Sequence, residues 1–271
     1  MGGRPRSPGA ALKPPEPLEL ALAFVFGMAF GSFANVAVYR VPRGFSVVSP
    51  GSLCPGCEQP IVWYDNIPLA SYLILRARCR NCGVRISLRY PVVEVFTGLA
   101  WAAMVWRIGL HPELPAYLAF ATALVILSAI DIEHHRLPNK VLGPASIVGA
   151  VLFLGAAAIG GRWVNLEHAA LGAVFYGLPM LVIGLAAPSA MGGGDVKFAP
   201  YLGFHLGWLG LRIVLAGGLL GLVAGGLGGA AALLVGGKGM KDPIPFGPFM
   251  AAGALAAILL GHSILSVYVG G

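Results

Sequence analysis

The sequence predicts an all-α polytopic membrane protein of about eight transmembrane helices, with one small cytoplasmic loop domain between the first two. Three observations carry this reading. The 271 residues are 57% hydrophobic and only 11% charged, against about 25% charged in soluble domains. The apolar residues gather into runs near the ~20 residues needed to cross a bilayer. Basic residues concentrate in one long connection, as they do on the cytoplasmic side of membrane proteins.

Residues 1–17, with Arg4, Arg6, Lys13 and several prolines, read as a disordered tail. Residues 18–39 form the first transmembrane helix; the run is long and lacks a small-residue cleavage site, so it is an anchor and not a signal peptide. Residues 40–90 form the cytoplasmic domain. They hold seven arginines (Arg40, Arg43, Arg76, Arg78, Arg80, Arg85 and Arg89) against Glu58 and Asp65, a bias that the positive-inside rule explains without any nucleic acid. Residues 91–271 form the transmembrane core, with apolar runs at 91–108, 115–130, 141–159, 169–187, 196–209, 213–235 and 246–269. Alternation from a cytoplasmic loop domain puts the loops at 131–140, 188–195 and 236–243 on the same inner side. His134, His135, Arg136, Lys140, Lys238 and Lys241 lie there. Both termini then fall outside, against which the basic tail is a weak counter-signal. The run at 196–209 is short for a span, so Asp195 is recessed or the segment is tilted or re-entrant. Gly217, Gly221, Gly225 and Gly229 recur on one helical face, a stripe that lets helices approach closely in lipid.

Two acids stand at the edges of apolar runs, Asp131 in AIDIEHHRLPN and Asp195 in AMGGGDVKFAP. A carboxylate at membrane depth costs about 3 kcal/mol or more and defaults to a functional role. The topology puts both on one face, where they can act as a dyad sharing a proton, one as general base on a water and the other as general acid. Gly192, Gly193 and Gly194 lack Cβ atoms, so the backbone there can take positive φ and let a substrate approach the following carboxylate. Lys197 orients a carboxylate or snorkels to the surface. Glu94, near the inner end of the second span, lines a reaction cavity or pairs with an arginine. Ser32 and Asn35 are read as interhelical hydrogen-bonding groups. His134 and His135 are read as a solvated face, while His205 and His262 give no usable signal.

All four cysteines lie in the arginine-rich loop, as Cys54-Pro-Gly-Cys57 and Cys79-Arg-Asn-Cys82. Two such pairs supply four soft ligands for a tetrahedral zinc, although the intervening stretch is slightly longer than the usual ribbon spacing. Zinc is favoured over disulfides, which a cytoplasmic loop disfavours, and over free thiols. A site with four cysteine ligands is closed, which makes the metal structural and supplies stability that so small a loop lacks.

Seven strings together resemble one family: GSFANVAVYRVPRG (31–44), the paired CxxC motifs, YDNIPLASYLILRARC (64–79), RYPVVEVFTG (89–98), DIEHHRLPN (131–139), GGGDVK (192–197) and IPFGPFMAAG (244–253). In this order they resemble the prepilin peptidases, the type IV leader peptidase group of bacterial membrane aspartic proteases. The resemblance implies that Asp131 and Asp195 are the catalytic pair, Asp195 closing the GxGD motif that begins at Gly192. It implies cleavage of type IV prepilins and pseudopilins after a glycine, at the cytoplasmic face of the bacterial inner membrane. It also implies methylation of the new N-terminus with S-adenosylmethionine, with Glu94 a candidate for the methyl-transfer or substrate cavity. Asn139 departs from the aspartate that many members carry, outside the dyad. The expected partners are prepilins, pseudopilins and the lipid bilayer, with no nucleic acid; nothing in the sequence sets an oligomeric state. A proton-coupled transporter or channel is the competing class, yet it leaves the cysteine loop and GGGD unused, and no internal repeat supports it. The loop as a docking module for secretion or pilus-assembly proteins is compatible with catalysis.

Overall fold

Eight long helices follow the apolar runs closely in the computed structural model, which describes residues 15–187, 191–235 and 245–269. They are α1 (Pro17–Arg40), α3 (Arg89–Ile108), α4 (Leu114–His134), α5 (Asn139–Gly160), α6 (Trp163–Ala186), α7 (Gly193–Leu209), α8 (Leu211–Val235) and α9 (Gly247–Val269), with the short α2 (Ala70–Ile74) inside the loop. Residues 1–14 of the expected tail, residues 188–190 of the 188–195 loop and the whole 236–243 loop with Lys238 and Lys241 lie outside the described residues, as does the His262 side chain. Six helices are long and apolar enough to cross a membrane: α1, α3, α4, α5, α6 and residues Leu211–Ala232 of α8. In α9 the described stretch Gly247–Gly261 is apolar but shorter. At 17 residues, α7 is about 26 Å long and falls roughly one turn short of a ~30 Å hydrocarbon core.

Chain breaks in the sequence set the helix ends. Pro17 begins α1 behind a reciprocal Glu16–Glu19 capping box. His135, at φ 52° and ψ 43°, closes α4 by returning its N–H to the Asp131 carbonyl at 2.8 Å, and Pro138 then starts α5. The outward surfaces are apolar, as lipid requires. Phe26, Phe30 and Phe33 on α1, and Leu171, Val174 and Leu178 on α6, are all exposed.

Glycines decide how the helices meet. Along α1 and α3 a Cβ built on Gly27 would stand 2.8 Å from the Gly98 Cα, and one on Gly31 2.7 Å from the Glu94 Cα. Along α6 and α7, a Cβ on Gly172 would stand 2.8 Å from the Gly207 Cα, and one on Gly177 2.9 Å from the Pro200 ring. In α8 the predicted stripe turns to α9, with Gly217 against Ala254 and Ala257, Gly221 against Met250 and Gly225 against Phe246. Each pair runs antiparallel in close contact, the packing that serves in lipid, where no hydrophobic force drives helices together. Between these pairs runs α4, whose Tyr117, Phe120, Leu124, Leu127 and Ile130 are fully buried; it touches α1, α3, α5 and α9. His205, on which the sequence was silent, is wholly buried among Phe120, Phe153 and Tyr201, stacked on Phe120 at 4.3 Å.

Candidate functional site: a two-aspartate centre and a four-cysteine cluster

Asp131 sits in the last turn of α4 and is only 5% exposed. The backbone N–H of Gly247, the first residue of α9, donates to its Oδ2 at 3.0 Å. A Cβ at Gly247 would lie 2.7 Å from that same oxygen, so the position admits only glycine if the carboxylate is to stay in place. Asp195 lies in the first turn of α7 and is half-buried. Its carboxylate stands against Gly192, where a Cβ would be 3.1 Å from Oδ2. Leu137 packs against both Gly194, next to Asp195, and Gly247, next to Asp131. The fold thus brings the two acids from α4 and α7 close enough for their charges to interact.

One sequence expectation at this loop is corrected. Gly192 has φ −67°, and neither Gly193 nor Gly194 is among the glycines with positive φ. The glycines are needed for space: Gly192 clears the Asp195 carboxylate and Gly194 clears Leu137. Lys197 points its Nζ toward the Asn139 Oδ1 at 3.5 Å and is exposed, so it reaches the residue at which this chain departs from the family pattern.

Sequence reasoning missed two groups beside the centre. Gly247 lay within a recognised string, but a backbone amide leaves no chemical mark in a sequence. Arg89, at the start of α3, grips Glu133 through Nη1 at 2.8 and 2.9 Å, two residues from Asp131. The two residues are 44 positions apart, and no pattern in the sequence pairs them.

Glu94 stands apart from the dyad's hydrogen bonds. It is 7% exposed and accepts the Leu69 N–H at 2.8 Å. Of the two alternatives raised for Glu94, an arginine pair is not found among the described residues; a loop amide bonds it instead. Asn35 donates to the Tyr90 carbonyl across α1 and α3 at 3.0 Å, while its buried Oδ1 has no partner among the described residues.

The cysteine pairs form two backbone turns of the same design. Cys54 N–H reaches the Gln59 carbonyl at 3.0 Å and Glu58 N–H returns to the Cys54 carbonyl at 2.8 Å; the matching Cys79–Val84 and Gly83–Cys79 bonds are 2.9 and 3.0 Å. All four Sγ atoms lie within 4.8 Å of one another, and Cys54 and Cys82 are 3.8 Å apart. Zinc–sulfur bonds of about 2.3 Å in a tetrahedron place sulfurs about 3.8 Å apart, so the cluster fits a metal ion. Backbone N–H groups of Cys82 and Asn81 pull the Cys79 thiol down to about 6, toward the thiolate a metal needs. Arg80 clamps Asp65 at 2.6 and 2.8 Å and holds that carboxyl below its ordinary range.

Comparison with known proteins agrees with these features. Residues 25–108 match the bacterial peptidase A24 N-terminal domain, and residues 118–267 match the type IV leader peptidase family. A prepilin leader peptidase/N-methyltransferase of Bacillus subtilis is 34% identical over 92% of this chain and 98% of its own. Proteins of the same description from Myxococcus xanthus and Aeromonas hydrophila are 40% identical (77% of this chain, 63% of the relative) and 34% identical (93% and 94%). No solved structure matches the chain. With the family's pattern spanning more than half of its residues and relatives aligned along nearly all of it, the chain belongs to the type IV leader peptidase family.

Proposed function

We propose that this protein is a membrane aspartic endopeptidase. It removes the leader of type IV prepilins and pseudopilins after a glycine, at the cytoplasmic face of the bacterial inner membrane, and methylates the new N-terminus. The observation that carries the reading is that Asp131, in the last turn of α4, and Asp195, in the first turn of α7, stand on either side of Leu137, which touches both Gly194 and Gly247, with their charges within interaction range. In this reading the pair holds one proton. The ionised carboxylate takes a proton from water as its oxygen adds to the scissile carbonyl, and the protonated one donates to the carbonyl oxygen. Collapse of the tetrahedral adduct then returns a proton to the departing amine. Gly247 keeps Asp131 aimed, and Gly192 and Gly194 leave room beside Asp195 for the substrate backbone. Lys197, two residues beyond Asp195, is directed toward Asn139. Mass spectrometry of a purified prepilin incubated with this protein, with and without S-adenosylmethionine, tests the reading. A shortened product, carrying one methyl group only when the donor is present, is expected; an unshortened precursor with folded protein overturns it.

The carboxylate geometry gives a sharper test. Gly247→Ala pushes a carbon into the Asp131 oxygen, and a shift of about 1 Å at a reacting group costs on the order of 10²-fold. The expected result is that loss in cleavage rate with unchanged helix content by circular dichroism.

The cysteine cluster is proposed to hold a structural zinc, through Cys54, Cys57, Cys79 and Cys82, with no part in the chemistry. S-Adenosylmethionine, when bound, supplies an electrophilic methyl group. Glu94, which the loop's Leu69 N–H reaches, and the unpartnered Asn35 Oδ1 are buried acceptors suited to a ligand bearing an amine and a sulfonium charge. Glu94→Gln is therefore expected to reduce methylation of an already cleaved pilin several-fold more than cleavage of the precursor. Equal losses in the two assays would make Glu94 a shared structural group.

A further inference from the structure

We propose that residues 63–74, in the middle of the four-cysteine loop, form an interfacial element that dips into the bilayer leaflet on the loop's side and rests against lipid. The proposal is independent of the catalytic reading and rests on α1 and α3 as membrane-crossing helices.

Two hydrogen bonds set the depth. Leu69 donates its N–H to Glu94 at 2.8 Å, and Glu94 lies about 8 Å inside α3 from its first residue, Arg89. The Asn66 carbonyl receives the Ser32 hydroxyl at 3.5 Å, and Ser32 lies about 12 Å short of the end of α1 at Arg40. At that level the outer surfaces of both helices are built for lipid, with Phe33 52% and Phe96 61% exposed. The loop therefore descends beside the two helices to the depth of their lipid-facing side chains.

Irregular backbone survives at such depth only where its polar groups are satisfied. Here Leu69 N–H and the Asn66 carbonyl are taken by Glu94 and Ser32, and the Ile67 carbonyl accepts the Ser71 N–H at 3.1 Å. The most exposed large side chains are apolar, with Trp63 77%, Leu73 65% and Ile74 75% exposed, beside exposed Tyr64 and Asn66. Arg76 and Arg78 follow directly, both exposed and without a carboxylate partner among the described residues. Tryptophan prefers the interface, the aliphatic pair prefers the acyl region, and arginines with free heads snorkel to phosphates. That combination is the composition of an interfacial anchor, and it makes phospholipid the occupant.

Tryptophan fluorescence in vesicles whose acyl chains carry bromine, a contact quencher, tests this. The full-length protein is reconstituted as Ile74→Trp and, for reference, as Glu58→Trp on the first cysteine turn. The emission that Ile74→Trp adds over the parent should be blue-shifted and at least halved by brominated chains, with the Glu58→Trp emission far less affected. Trp63→Phe, which alters an exposed side chain, supplies the converse by removing emission that is itself quenchable. Water-like emission from Ile74→Trp that brominated chains leave unchanged, with no quenchable emission lost in Trp63→Phe, overturns the proposal and leaves the patch to solvent or a protein partner.

Discussion

Asp131→Asn and Asp195→Asn are each expected to abolish prepilin cleavage, with losses on the order of 10²–10⁴-fold or beyond. The substitution is nearly isosteric. An asparagine in place of Asp131 can still accept the Gly247 N–H through its side-chain oxygen, and one in place of Asp195 occupies the same space beside Gly192, so neither change opens a cavity or adds a clash. What disappears is the ability to take and return a proton. Neither aspartate can fill both roles in one turnover, so the double variant should be no worse than either single one, the non-additivity of groups that act as a unit. Thermal unfolding of the purified variants should match the parent, and methylation of a pre-cleaved pilin should persist. Near-normal cleavage by either variant removes that residue from the dyad.

Loss of the metal should produce the second large effect, of a different kind. One zinc per chain is expected, lost when Cys54, Cys57, Cys79 and Cys82 are changed to serine. Small zinc domains draw about 10–16 kcal/mol of folding free energy from the ion, and this loop has almost nothing to replace it: Cys54 is the only buried cysteine, and its large apolar residues are mostly exposed. The expected outcome is rapid proteolysis within residues 41–88 after chelation, while the helices stay protected. Cleavage should weaken without vanishing, because Asp131, Asp195 and Gly247 belong to α4, α7 and α9. Methylation should suffer more, since Glu94 takes its hydrogen bond from Leu69 in the loop. Metal analysis that finds no zinc in carefully prepared protein rejects the assignment.

The parts of this structure that were legible in the sequence are those that lipid or ligand chemistry forces on residue identity. Hydrocarbon demands long apolar runs, so the eight helices could be placed closely, and the expense of charge at their edges marked Asp131, Asp195 and Glu94. Four thiols in two short pairs could be read as one cluster because the spacing itself aims them. Functions performed by backbone or by empty space were hidden. Gly247 contributes an amide and the absence of a Cβ, and Gly192 and Gly194 contribute room rather than the left-handed conformation expected of them. The Arg89–Glu133 clamp was hidden for another reason: it joins residues far apart in the chain, and each alone looks like an ordinary surface charge.

The glycine seams also divide the site mechanically. Its three parts arrive on different bodies, Asp131 on the central α4, Asp195 on the α6–α7 hairpin and Gly247 on the α8–α9 hairpin. Within these hairpins the backbones touch through glycines, and a sideways slip would have to ride over them; between them the glycines meet side chains, Gly217 against Leu206 and Gly218 against Tyr176. In mechanical terms the separation of the two aspartates is a joint tolerance, set by how the α6–α7 hairpin seats against its neighbours and not by the shape of any single helix.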